Sequence, residues 1–153
     1  LTSPKMFGSR LELPFAPDSE YRMVAIVEPL DEPNGLILGQ RSGEHRFASL
    51  FNFRSGEQEL SALENVDGQN VGNSSTFEGP LFRKGRISQV VVTVRKSGVV
   101  MTVDGKTISD WSGSAAQLSL SDYWATPNES ALFVGAYDCR YRFHRLTVTP
   151  AED

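Results

Sequence analysis

At 153 residues the chain is the size of one domain, long enough to bury roughly two-thirds of the surface it exposes when unfolded. Its composition, 39% hydrophobic, 10% aromatic and 22% charged, excludes disorder and low complexity, and a net charge of -4 supplies no positive field for nucleic acid. The longest apolar stretches, Met23 to Val27 and Val90 to Val94, run to about five residues where a bilayer-crossing helix needs about 18 to 20, so no membrane insertion is expected.

The lone cysteine, Cys139, rules out an internal disulfide and leaves the compartment open. A signal peptide is not expected, because positions 1–10 lack a basic stretch followed by an apolar one. The start at Leu1 and the polar end Ala151, Glu152, Asp153 suggest a piece of a longer protein, with one domain over 1–153.

Apolar spacing of period two, broken every 8 to 12 residues by Gly, Pro, Asn or Asp, predicts an all-β sandwich or barrel. The first strong strand covers 20–29, where Tyr21, Met23, Ala25 and Val27 share one face and Val24 and Ile26 make the other apolar, so it is expected to be central and covered on both sides. Pro33-Asn34-Gly35 and then 42–45 turn the chain through strands at 35–41 and 46–53, which predicts a three-stranded meander. In 46–53, strict alternation places Phe47, Ser49, Phe51 and Phe53 on one face and Arg46, Ala48, Leu50 and Asn52 on the other.

The stretch 54–84 is loop-rich, with short strands at 60–64 and 75–78. A double hairpin follows. Val90, Val92 and Val94 face one way in 86–95, Val99, Met101 and Val103 return, and Asp104-Gly105, a type I′ pair, turns the chain into 106–111. Positions 115–124 read as a loop with at most a short helical turn, and 130–137 as a strand. In 141–150, Tyr141 and Phe143 are out of phase with Leu146 and Val148, and a bulge near His144 or Arg145 brings all four to one face.

The run Val99 to Ile108 with Trp111 and Gly113 after it, and the pair 131–137 and 141–148, resemble the concanavalin A-like lectin and glucanase superfamily, which includes laminin-G-like modules. The resemblance spans about 9–150 and implies a two-sheet antiparallel jelly roll. The chain is also similar to modules appended to large bacterial proteins, enzymes and serine/threonine kinases among them, and to the 3-keto-disaccharide hydrolase-like group. These likenesses bear on fold more than on activity.

A retaining glucanase of this fold is expected to carry closely spaced carboxylates on one strand face. That pattern is missing: Glu28 with Asp31 and Glu32, and Glu64 with Asp67, stand beside Pro or Gly and read as solvated turn carboxylates. His45 and His144 have no partner at metal-ligand spacing, and no serine lies in a Gly-x-Ser-x-Gly elbow, so neither a zinc site nor a hydrolase triad is indicated. Arg140 beside Cys139 is a way to lower the thiol pKa, although a lone turn cysteine is more often inert. Asp67, Asn70, Asn73 and Asp138 are candidate calcium ligands, an ion that superfamily members often carry, but turn formation explains the same residues and no cofactor is expected.

Aromatics in loops beside polar groups are the best binding candidates, because a flat ring offers area at low entropic cost. Tyr123, Trp124 and Tyr137 fit this description, whereas Trp111 reads as core. Arg140, Arg142 and His144 alternate on one face as a small basic patch or a solvated edge. The leading expectation is a non-catalytic module that recognises carbohydrate or a protein partner. A glycoside or keto-sugar hydrolase-like enzyme and a structural accessory domain are the alternatives. An open groove on the concave sheet would favour the enzyme; closure by 54–84 would not.

Overall fold

The computed structural model describes residues 1–151, which fold into two antiparallel sheets packed face to face. The elements in chain order are β1 (Phe7–Glu12), β2 (Tyr21–Pro29), β3 (Leu36–Ser42), β4 (His45–Ser55), β5 (Gln58–Glu64), β6 (Phe77–Glu78), β7 (Ser88–Arg95), β8 (Gly98–Val103), β9 (Lys106–Ser112), β10 (Phe133–Tyr137) and β11 (Tyr141–Pro150). One sheet runs β1-β10-β3-β4-β5-β6 and the other β11-β2-β7-β8-β9. Among the described residues no helix is long and apolar enough to cross a membrane.

The core lies between the sheets, where period-two alternation is strongest. Met23, Ala25 and Val27 of β2, Val90, Val92 and Val94 of β7, and Met101 of β8 meet Leu36, Leu38, Phe47, Phe51 and Leu63 of the opposite sheet. Each buried valine contributes about 1.5 to 3 kcal/mol, so the β7-β8-β9 hairpins anchor the domain as expected. Asp104 and Gly105 both sit at positive φ, 50° and 81°, as the type I′ turn requires. The β11 bulge is also present: the register with β2 slips between Phe143 and Arg145, which brings Leu146 opposite Ala25 and Val148 opposite Met23, against the core.

Three local expectations are corrected by tertiary structure. The 20–53 region is not one meander, because β2 belongs to one sheet and β3 and β4 to the other. The 30–35 link is too long for a tight hairpin and contains Pro33; it arches over the end of the sandwich. Buried Asn34 fixes it, its Oδ1 accepting from the backbone N–H of Gly35 (2.8 Å) and Arg54 (3.0 Å), while the Tyr141 hydroxyl donates to its carbonyl. Nor is β2 covered on both sides. It is paired along both edges, but Val24 and Ile26 face outward and are only half-buried.

The third correction concerns β4. Its register with β5 slips between Leu50 and Phe53, and Asn52 adopts a φ of 61°. This bulge reverses the alternation. Phe47 and Phe51 remain in the core, but Phe53 turns out to pack with Leu50 and Tyr137 on the outer face. The buried Asn52 side chain supports the kink by accepting from the N–H of Leu81 (2.6 Å) and Phe82 (3.3 Å) and donating to Glu59 Oε1 (3.0 Å).

Candidate functional site

The outer face of the six-stranded sheet is apolar in its middle. Ile37, Ala48, Leu50 and Phe133 are buried there beneath the connection 113–132, which crosses the face as a strap. Two short 3-10 turns shape the strap, at Ala115–Gln117 behind a Ser114–Gln117 capping box and at Asp122–Trp124 behind Ser121. Three anchors hold it down. Asn65 and Ser119 exchange backbone hydrogen bonds (2.5 and 3.2 Å) at the end of β5. Arg46 of β4 donates to Thr126 Oγ1 (2.8 Å) and Ala131 O (2.9 Å) while lying over the Phe133 ring. On the β1 side, Arg10 donates to Ala125 O (2.7 Å) and the Tyr123 hydroxyl to Phe7 O (2.7 Å).

Trp124 is thereby pressed onto the sheet and is only 4% exposed. The strap, with Val71 of the 54–84 stretch packed beside it, covers the centre of this outer face. What stays open is a bowl of about 270 Å³ beside Trp124. Leu50 and Glu64 rise into it from β4 and β5; Phe53, Tyr137, Tyr123 and Trp124 wall it; Asn70, Val71 and Ser121 form its rim. The rings brace one another. Tyr123 stands edge-on to Trp124 (centroids 5.0 Å, 79°), Tyr137 edge-on to Phe53 (5.5 Å, 69°), and Tyr123 and Tyr137 are 6.3 Å apart. Phe7 extends the platform, 5.3 Å from Tyr137.

Three of the five residues expected to bind, Tyr123, Trp124 and Tyr137, therefore meet in one place. Arg140 and Arg142 do not line the bowl. Arg140 donates through its backbone N–H (2.9 Å), Nε (3.1 Å) and Nη2 (3.0 Å) to Asp31, whose carboxyl these bonds hold down at about 2. Arg142 lies on β11, in the other sheet, 3.8 Å from Glu28 Oε1, which His144 also contacts at 2.9 Å. Trp111 belongs to the core. Cys139 is buried, and burial pushes its thiol pKa up despite Arg140 next to it, so the expected route to activation is not realised.

Asp67, Asn70 and Asn73 make turn interactions: Asp67 accepts from Gln117 Nε2 (3.3 Å), Asn70 Oδ1 from Val71 N–H (2.7 Å), and Asn73 Oδ1 from Ser75 N–H (2.9 Å) and its hydroxyl (2.6 Å). Asp138 sits in the β10–β11 turn with a φ of 51°. Among the described residues no three His, Cys, Asp or Glu side chains gather as a metal site.

Glu64 is the residue that sequence reading misplaced. It is no solvated turn carboxylate but the last residue of β5, opposite Ala48 and 6% exposed. Burial raises its pKa, and hydrogen bonds from the Asn70 and Trp124 side chains only partly oppose that rise. Among the described residues Glu64 takes part in none of the ion pairs. The available signal was phase: alternation over Leu60, Ala62 and Glu64 puts this glutamate in line with an apolar face. Among the described residues Glu64 is the one carboxyl side chain lining the bowl, so they do not assemble there the two opposed carboxylates of a glycosidase.

Comparison of the sequence with known families gives no match, and comparison with curated proteins gives none. Solved structures do match. The carbohydrate-binding module CBM66 of Bacillus subtilis superposes with a TM-score of 0.65 at 11% identity, over 96% of this chain and 84% of its own. The fold is a two-sheet antiparallel jelly roll. A Bacillus subtilis protein of unknown function with a galectin-like fold gives a TM-score of 0.62 at 13% identity, over 91% of this chain and 76% of its own. The Caenorhabditis elegans galectin LEC-6 gives 0.57 at 11% identity, over 97% and 94%. At these identities the likeness extends to the two antiparallel sheets and their packing.

Proposed function

We propose that this domain is a carbohydrate-recognition module whose ligand sits in the bowl formed by Phe53, Tyr123, Trp124 and Tyr137 over Glu64. The observation that carries this reading is a buried carboxyl group, in no ion pair among the described residues, beside four aromatic rings in an open depression. Sugars present both apolar C–H faces and dense hydroxyls, which suits rings for the former and a fixed acceptor for the latter. Asn70 and Ser121 at the rim add amide and hydroxyl groups. Lectins and a carbohydrate-binding module among the structural neighbours are consistent with it.

Calorimetric titration with a panel of neutral, amino and acidic oligosaccharides tests the reading. Tyr123 is 49% exposed, so Tyr123→Ala leaves the core intact while removing a wall of the bowl. Binding of a panel member that falls at least about tenfold in Tyr123→Ala and is unchanged in Arg142→Ala is the expected result. Silence across the whole panel, or equal losses in both variants, rules it out.

A further inference from the structure

We propose that the sugar held in the bowl carries a free ammonium group, so that the natural ligand is an amino sugar whose cation pairs with Glu64. The proposal rests on the carbohydrate reading and narrows its chemistry.

Charge inventory is the first argument. Of the side chains facing the bowl, Leu50 and Phe53 come from β4, Tyr137 from β10, Asn70 and Val71 from the loop after β5, and Ser121, Tyr123 and Trp124 from the strap. None of these residues is Lys, Arg or His, so among the described residues Glu64 is the one acidic side chain of the bowl and has no basic side chain beside it in the lining. The nearest basic residue along the outer face of β4, Arg46, is committed to Thr126 and Ala131 and does not line the bowl. A buried carboxylate without a counter-ion is an energetic cost that a cationic ligand removes.

The walls point the same way. An aromatic ring is negative over its π face and positive at its edge, so an ammonium seated over the face of one of these four rings is attracted where an anion is repelled. Rings around one carboxylate form a cage suited to a cation, whereas a uronic or sialic acid would bring its charge against Glu64. At about 270 Å³ the bowl lies below the roughly 300 to 1,000 Å³ typical of drug-sized ligands, which fits one sugar ring rather than an extended segment.

The test titrates the whole chain with the methyl glycosides of glucosamine and galactosamine, their N-acetyl derivatives and tetramethylammonium. The derivatives keep the nitrogen and remove its charge. The expected result is that a free amino glycoside binds at least about tenfold tighter than its N-acetyl form, the margin of one charge-assisted hydrogen bond over a neutral one. Glu64→Gln should erase that margin. Acidification provides a readout that needs no variant: the amine stays protonated while Glu64 takes up a proton, so the margin should shrink as the pH falls into the carboxylate range.

An N-acetyl glycoside that binds as well as the amine overturns the ammonium assignment and leaves the carbohydrate reading standing. Tetramethylammonium binding with no sugar binding, or the absence of binding in every arm, overturns the amino-sugar assignment, and the oligosaccharide panel then decides the carbohydrate reading separately.

Discussion

Asn52 controls which face of the sheet Phe53 occupies, and its replacement by alanine offers a quantitative test of the site's construction. Asn52→Ala removes the acceptor for the N–H groups of Leu81 (2.6 Å) and Phe82 (3.3 Å) and the donor to Glu59 (3.0 Å). A buried donor left unsatisfied costs about 1 to 3 kcal/mol, with the 3.3 Å contact at the low end. Holding alanine at the observed φ of 61°, which asparagine tolerates, adds about 1 to 2 kcal/mol. The sum is roughly 3 to 6 kcal/mol, a large fraction of the roughly 5 to 15 kcal/mol that holds a domain of this kind together. Urea unfolding followed by tryptophan fluorescence measures it. Asn52→Gly relieves the backbone but restores no acceptor, so it should be about 1 kcal/mol less damaging than alanine. Asn52→Asp keeps the acceptor and should cost less than alanine, although it faces Glu59. An alanine variant within about 0.5 kcal/mol of the parent would refute the reasoning, because neither the bonds nor the backbone strain would then matter.

Gly39 lies directly under the Phe133 ring, where an added Cβ would stand 2.0 Å from Cδ1. Gly39→Ala should cost about 1 to 3 kcal/mol in urea unfolding through displacement of that buried ring, and a neutral effect would show the strap to be looser than described. The raised pKa of Glu64 means that the folded state holds the proton more tightly than the unfolded chain. Its contribution to stability is therefore present below the unfolded pKa and lost as pH rises through the folded one. Relative to Glu64→Gln, the parent should gain stability as the pH is lowered from neutral, and a pH-independent difference in urea midpoints would contradict the burial argument. The buried Cys139 thiol should resist thiol reagents in the native protein and react in step with unfolding; fast native-state labelling would place it at the surface.

What could be read from the sequence was what local physics determines. Asp104-Gly105 set a turn by its own φ preferences, and the β7 and β8 valines showed which way those strands face. The phase break between Phe143 and Leu146 announced the β11 bulge, because two apolar pairs on opposite faces of an edge strand are costly. The matching break at Asn52 left no such mark. Phe53 on either face satisfies an apolar pattern, so only the partners of the Asn52 side chain, about 30 residues away in sequence, decide the matter. The assignment of β2 and β3 to different sheets was equally invisible, since both strands alternate well and the choice rests on the β11 and β10 segments that pair with them. β1 was missed because an edge strand that exposes Phe7 and Leu11 has little alternation to show.

The candidate site follows the same division. Tyr123, Trp124 and Tyr137 stand out as aromatics in polar surroundings, a property of residue type, whereas the burial of Glu64 is produced by a segment more than 50 residues later in the chain. Without the strap, the outer face of the six-stranded sheet would be open and Glu64 a solvated carboxylate at a strand end. With Trp124 seated on Leu50 and Ala48, the same carboxylate loses water on one side and keeps an opening on the other. A connection used only to cover an apolar sheet would need no polar partner on the strand beneath it. That this one places an aromatic wall against a buried carboxyl group, and stops short of closing over it, is the physical reason the proposed ligand is placed beside the strap.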